Sequence, residues 1–187
     1  MGQLSLIALG GNIPSDAGPP AATLRAALAA MRDAGLDIRA TSNLYRTPCF
    51  PPGAGPDYVN AAVRVEGGPG PHAMLERLHA IEADFGRARQ QRWGMRTLDL
   101  DLVAVDDRVL PDAETHGRWR TLDAAAQRRA APDELVLPHP RLQDRAFVLV
   151  PLAEVAGDWV HPALGRSVAQ MRDDLPRAAL EGVVALE

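Results

Sequence analysis

At 187 residues, with 47% apolar and 24% charged side chains, the chain has the size and composition of one well-buried domain. Its net charge of -4 argues against a general nucleic-acid binder, which carries a basic balance. All 20 basic residues are arginine, so a Walker-A loop, a protein-kinase strand lysine and Schiff-base chemistry are excluded, and any phosphate must be met by guanidinium groups.

Leu4 to Leu9 is a short apolar run stopped by Gly10-Gly11-Asn12, which predicts a buried strand entering a turn. Ala21 to Ala34 follows a Pro- and Gly-rich loop and is Ala-rich, with Leu24, Leu28 and Met31 at helical spacing and Gly35 as the stop. Leu36 to Tyr45 alternates in part and predicts a second strand, followed by a proline-rich loop from Arg46 to Asp57. Tyr58 to Val65 alternates cleanly, with Val59, Ala61, Val63 and Val65 on one face. Pro71 to Phe85 carries a helical stripe of Met74, Leu75, Leu78, Ile81 and Phe85, and Leu98 to Val105 is again a strand.

The order β-α-β-β-α-β defines an α+β, ferredoxin-like core: an antiparallel sheet with both helices on one face and the other face free for a ligand. A C-terminal extension follows. Asp107 to Asp133 is expected to be an insertion with a short helix, Leu142 to Val155 helical in part with an interruption at Pro151, and Val168 to Met171 a last short helix. No linker argues for a second domain, so 1–187 is expected to be a single domain. Cys49 is the only cysteine, which excludes an intrachain disulfide and a cysteine-based zinc site. Without a basic leader or an apolar stretch of about 18 residues, the chain is expected to be cytoplasmic and to engage no membrane.

Chemistry concentrates in one segment. On a strand, Asp99 and Asp101 share a face about 6.5–7 Å apart, while Leu98, Leu100 and Leu102 point into a core. Two neighbouring carboxylates repel unless a cation lies between them, and magnesium is held by one or two carboxylates together with waters and substrate phosphates. An isolated Asp-x-Asp also suits the wet face of a strand. Here Val103 and Val105 are expected on the same face as the acids, and an arginine-rich run lies just upstream. That run, Gly86 to Arg96, brings Arg87, Arg89, Arg92 and Arg96 together with Trp93 in an otherwise acidic protein, which suits a loop that closes on a triphosphate.

The pattern Arg92-x-Gly94-x-Arg96-x-x-Asp99-x-Asp101 resembles the signature of the 6-hydroxymethyl-7,8-dihydropterin pyrophosphokinases. Ala8 to Asn12, Tyr45 to Pro48, Pro56 to Ala62, Leu137 to Arg141 and a stretch through Asp144, Arg145 and Phe147 match in the same order, so the resemblance spans about residues 4–155. It implies transfer of the β,γ-diphosphate of ATP to the hydroxymethyl oxygen of the pterin, in folate biosynthesis. It also implies two Mg²⁺ ions on Asp99 and Asp101, and a catalytic loop of Arg87, Arg89, Trp93 and Arg96 supported by Arg92. His139 and Arg145 would contact ATP oxygens, with Glu82 near the nucleotide. The pterin would stack between Tyr58 and Phe147, its polar edge read by Thr47, Asn60 and backbone near Pro48.

Met95 and His79 depart from the family pattern, and the stretch from about 107 to 133 is longer than compact members need. Within it, Arg118-Trp119-Arg120 is read as an exposed turn. The expected partners are the two small-molecule substrates, with no nucleic acid, and the expected state is a monomer. Two rivals remain: a palm-like nucleotidyl transferase, which also displays acids on a ferredoxin-like sheet, and a non-catalytic ferredoxin-like ligand-binding module.

Overall fold

The computed structural model describes residues 2–49, 53, 55–86, 95–123, 126 and 129–186. Its strands are β1 (Leu4–Gly11), β2 (Asp37–Thr41), β3 (Tyr45–Thr47), β4 (Tyr58–Glu66), β5 (Asp99–Val105), β6 (Val160–His161), β7 (Arg166–Ser167) and β8 (Val184–Ala185). The helices are α1 (Pro20–Asp33), α2 (Pro71–Asp84), α3 (Ala113–Arg120), α4 (Ala146–Ala156), α5 (Val168–Asp173) and α6 (Arg177–Glu181). The main sheet runs β5-β1-β4-β3-β8, with β2 also on β4, and its pairings are antiparallel. This is the expected ferredoxin-like α+β order.

Strand β1 is central because both of its faces are apolar. Ile7 and Leu9 join Ala61, Val63, Val65, Leu100 and Leu102 beneath α1 and α2, which contribute Leu24, Met31, Met74 and Leu78. Leu6 and Ala8 face the other way. Each fully buried leucine there contributes on the order of 1.5–3 kcal/mol of transfer free energy.

Five local expectations need correction. The second face of the sheet is not wholly free: Val148, Leu149, Leu152 and Val155 of α4 cover Leu6, Ala62, Val103 and Ala104. Among the described residues, the end carrying Gly10, Asp99 and Tyr58 remains open for a ligand. Pro151 does not interrupt α4, which runs through it with the proline buried. The lost N–H and ring clash are local costs of about 3 kcal/mol, and burial of an almost wholly apolar helix outweighs them.

Val105 does not share the face of the two acids. A register shift between Leu6 and Ile7 leaves Val103 as an extra residue in β5, so Ala104 turns toward α4 and Val105 into the α1/α2 core. The predicted strand Leu36 to Tyr45 is two strands, and β3 takes Arg46 and Thr47 out of the expected loop. The break has a cause at Asn43, whose backbone N–H and side-chain amide both bond the Glu154 carboxylate of α4.

The insertion contains α3, capped by Asp112 accepting from Thr115 N–H at 2.8 Å, so Arg118-Trp119-Arg120 closes a helix rather than forming a turn. Beyond α4 lie a β6–β7 hairpin and α5, the latter started by a Ser167/Gln170 capping box. Strand β8, which the sequence did not announce, pairs with β3.

Candidate active site

The sheet registers explain how the site assembles. Gly10 pairs with Asn60 on one side and with Asp99 on the other, while Ala8 lies between Ala62 and Asp101. Tyr45 pairs with Asn60 and Thr47 with Tyr58. Alternation puts Asp99 and Asp101 on the same face as Tyr58, Asn60 and Thr47. Two small residues, Gly10 and Ala8, separate the acids from the aromatic side, so this strip of the floor carries nothing larger than a methyl group.

Above that floor lies a cleft of about 350 Å³, lined among others by Thr47, Pro48, Tyr58, Asn60, Arg96, Asp99, Asp101, His139, Arg145 and Phe147. Eleven of the fifteen expected site residues fall within the described residues. Ten of these line the cleft, and Glu82 does not. Arg87, Arg89, Arg92 and Trp93 lie outside the described residues, and Gly94 with them.

At the acidic end, Arg96 Nη1 lies 2.5 Å from Asp99 Oδ2, with both side chains partly buried. Burial alone would lower the Arg96 pKa, but Asp99, reinforced by Asp101, holds it above its ordinary value. Among the described residues no group of three or more His, Cys, Asp or Glu is arranged to hold a metal. The two aspartates alone fit magnesium, which draws its remaining ligands from water and phosphate.

His139 and Arg145 form the hydrogen-bond-donating wall, of which Arg145 is the charged member. The His139 N–H donates to Val103 O at 2.7 Å, and its Nδ1 accepts from Arg141 N–H at 3.0 Å. Nε2 is therefore the proton-bearing nitrogen. Burial, then the neighbouring Arg145, pushes the imidazole down to about 3, so His139 is a neutral donor near pH 7. Burial also pulls Arg145 below its ordinary value against the attraction of Asp101, yet a guanidinium stays charged.

At the aromatic end, Asn60 Nδ2 donates to Thr47 Oγ1 at 2.7 Å, and both side chains are buried. The bond leaves Asn60 Oδ1 oriented, and a Cβ on residue 10 would come within 2.9 Å of that oxygen. Phe147 is 40% exposed, which is unusual for a phenylalanine and leaves a ring face available. The Arg145 guanidinium lies 5.7 Å from its centroid.

Glu82 is completely buried on α2, where it accepts from Leu100 N–H at 2.7 Å. It thus binds the backbone between the two aspartates instead of entering the cleft. Asn12 was read only as a turn residue, yet it ties three site segments together. Its backbone N–H reaches Arg96 O at 2.9 Å, its Oδ1 accepts from Arg96 N at 2.8 Å, and its Nδ2 donates to Pro56 O at 3.2 Å. The signal was the Gly10-Gly11-Asn12 run itself, because a Cβ on Gly11 would lie 2.4 Å from Thr97 O. Met95 is 63% exposed at the edge of this stem.

A ferredoxin-like sheet that sets paired carboxylates and arginine against an amide- and aromatic-lined pocket defines a phosphoryl-transfer class of site. Residues 6–157 match the family model for 7,8-dihydro-6-hydroxymethylpterin-pyrophosphokinase (HPPK), and the chain belongs to that family. It is 38% identical to the 2-amino-4-hydroxy-6-hydroxymethyldihydropteridine pyrophosphokinase of Synechocystis sp., covering 94% of this chain and 78% of that protein. The enzymes of the same name from Haemophilus influenzae and Pseudomonas aeruginosa are 34% and 32% identical, with coverage of 83% and 96% of both partners respectively.

A crystal structure of a Plasmodium falciparum HPPK-DHPS triple mutant superposes with a TM-score of 0.64 at 15% identity. That match covers 92% of this chain and 44% of that one, less than half its length, and it supports the fold alone.

Proposed function

We propose that the cleft carries out transfer of the β,γ-diphosphate of ATP to the hydroxymethyl oxygen of 6-hydroxymethyl-7,8-dihydropterin, with the residues in the roles that follow. One observation carries this assignment: the same sheet face holds Asp99 and Asp101 at one end and Tyr58, Asn60 and Thr47 at the other, with only Gly10 and Ala8 between. A pterin on the aromatic end points its substituent at the acids. Tyr58 and Phe147 supply ring faces, while the Asn60–Thr47 pair offers oriented polar groups to the pterin edge.

The hydroxymethyl oxygen attacks the β-phosphorus, the bond from that phosphorus to the α-phosphate oxygen breaks, AMP leaves, and the hydroxyl proton goes to solvent. Magnesium, held by Asp99 and Asp101, would neutralise phosphate charge and acidify the hydroxyl. Arg96 moves from Asp99 to the phosphate charge as nucleotide enters, and Arg145 with the neutral Nε2–H of His139 orients the phosphates. His139 is not a general base, because its other nitrogen is occupied by Arg141 N–H. Arg87, Arg89, Arg92 and Trp93 complete the loop over the phosphates, and Glu82 supports the acids from behind.

The palm-like alternative would leave Tyr58 and Phe147 without a ligand, and a binding module would have no use for the acid pair. Residues 1–187 act as one domain with an insertion at about 107–133, as a monomer in the cytoplasm. No helix among the described residues is long and apolar enough to cross a membrane. Calorimetry with α,β-methylene-ATP, magnesium and the reduced pterin tests the arrangement. Both ligands should bind at once, one of each per chain, whereas mutual exclusion would place them in one pocket and refute the two-ended cleft.

A further inference from the structure

The peptide unit leading into His139 is held from both sides. Its N–H, on His139, donates to Val103 O at 2.7 Å. Its C=O, on Pro138, meets Nε2 of His116 at 3.0 Å in a buried contact. A peptide unit is planar, so fixing both polar ends fixes the plane from which the His139 side chain is set. The Arg141 N–H then locks the imidazole itself through Nδ1.

His116 comes from α3 in the insertion. It is the buried residue of that short helix, only 1% exposed, while its neighbours Ala113, Glu114 and Arg118 are exposed. A leucine would fill the position without the cost of desolvating an imidazole, so the ring is explained by what it bonds. A carbonyl only accepts, so Nε2 carries the proton and Nδ1 the lone pair.

The adjacent His161 has the complementary arrangement. Its Nδ1 accepts from Ala163 N–H at 3.1 Å, leaving Nε2–H toward the interior. The two rings lie 5.7 Å apart, and His116 Nδ1 and His161 Nε2 are buried without partners among the described residues. Burial lowers the pKa of both, with Arg120 adding to the effect, so both rings stay neutral and the donor on Pro138 O keeps its tautomer.

We propose that His116 is a positioning residue for diphosphate transfer: the insertion helix uses it to hold the Pro138–His139 peptide and so keeps the His139 Nε2–H directed at the nucleotide. The proposal rests on the reading of His139 as a phosphate contact. It gives helix α3 of the 107–133 insertion a function as a brace behind the nucleotide wall.

The test compares His116→Leu, His116→Gln, His139→Ala and the His116→Leu/His139→Ala double variant. His116→Leu should impair kcat/KM for Mg-ATP about tenfold, the scale of one lost buried hydrogen bond, and leave the pterin KM within about twofold. His116→Gln, whose amide can donate to the same carbonyl, should recover most of the loss. The double variant should be no worse than His139→Ala alone, since a residue acting through His139 has nothing left to act on. Imidazole nitrogen NMR should show His139 as a single Nε2–H tautomer in the wild type and the Gln variant, and as a mixture in the Leu variant. Should His116→Leu not fold, His116→Asn, too short to reach Pro138 O, takes its place.

Unchanged Mg-ATP kinetics in the variant, losses that multiply fully in the double variant, or an unaltered His139 resonance would each overturn the proposal. A wild-type protein unable to form AMP would instead remove the reading of the site, and the NMR comparison would still decide whether His116 holds His139.

Discussion

Arg96 Nη1 sits 2.5 Å from Asp99 Oδ2, so one of the two carboxylates assigned to magnesium already carries a cation supplied by the protein. The pair makes Arg96 a competitor of the metal before nucleotide arrives and a partner of the phosphates afterwards. Arg96→Ala should therefore bind Mn²⁺ several-fold more tightly without nucleotide, read by the paramagnetic relaxation of water. The same variant should lose about 10²-fold or more in transfer rate, as expected for a charge used in the transition state. Weaker Mn²⁺ binding in the variant would contradict the exchange of partners.

Asp101 has no such ion pair among the described residues. Asp101→Asn should keep or raise the thermal midpoint of the metal-free protein, because one of two neighbouring negative charges is removed, while turnover falls by orders of magnitude. Asp99→Asn should differ by losing stability as well, since Arg96 is left unpaired. Identical thermal effects of the two substitutions would show that the Arg96–Asp99 contact contributes nothing.

The aromatic end makes a separable prediction. Tyr58→Ala and Phe147→Ala should each weaken pterin binding about 5- to 150-fold, for about 1–3 kcal/mol per stacked face, with ATP affinity little changed. Titration calorimetry with each ligand alone distinguishes the ends. A loss confined to ATP would reverse the two pockets.

The glycines of β1 test the floor. Gly10→Ala places a methyl 2.9 Å from Asn60 Oδ1, a side-chain atom that can turn aside, so the protein should fold and lose pterin affinity through the broken Asn60–Thr47 bond. Gly11→Ala meets the Thr97 carbonyl at 2.4 Å, where backbone must move, so it should cost several degrees in Tm and disturb Arg96. If Gly10→Ala binds pterin normally, Asn60 is not part of the pocket.

Much of this site was legible in the sequence because period-two alternation assigns faces. Counting along one strand put Asp99 and Asp101 on a shared face, as the register has them, whereas Tyr58 and Asn60 were named through the family resemblance. What counting could not see were interruptions imposed by partners. The bulge that turns Val105 away is visible only in its pairing with β1, and the break between β2 and β3 depends on Glu154, 111 residues from Asn43. The burial that carries α4 through Pro151 is likewise a tertiary effect. Glu82 was placed near the nucleotide by the family resemblance alone. Its amphipathic helix instead turns it inward, to a strand-edge N–H that no local pattern marks.

Acid should loosen the nucleotide wall. His139 is pushed down to about 3 and His161 to about 4, and His116 is lowered as well, in each case chiefly by burial. A histidine with a depressed folded pKa takes up its proton more readily when unfolded, so its stabilising contribution is complete above the ordinary value of 6.5 and declines as pH falls below it. His161, fully buried, accounts for about 3 kcal/mol across the interval from 6.5 to about 4. Urea midpoints should be flat from pH 8 to 7, fall between about 6.5 and 4, and fall less in His161→Gln. A midpoint that holds steady down to pH 5 would contradict neutral burial of these rings.

Tracing the ATP phosphates addresses the central claim most directly. The protein is incubated with magnesium, the reduced pterin and ATP labelled at either the α- or the β-phosphorus. Attack by the hydroxymethyl oxygen at the β-phosphorus predicts that α-label remains in AMP and β-label appears in the pterin diphosphate, in equal amounts. Formation of ADP, release of pyrophosphate with the α-label on the pterin, or intact ATP in the presence of folded protein would contradict it.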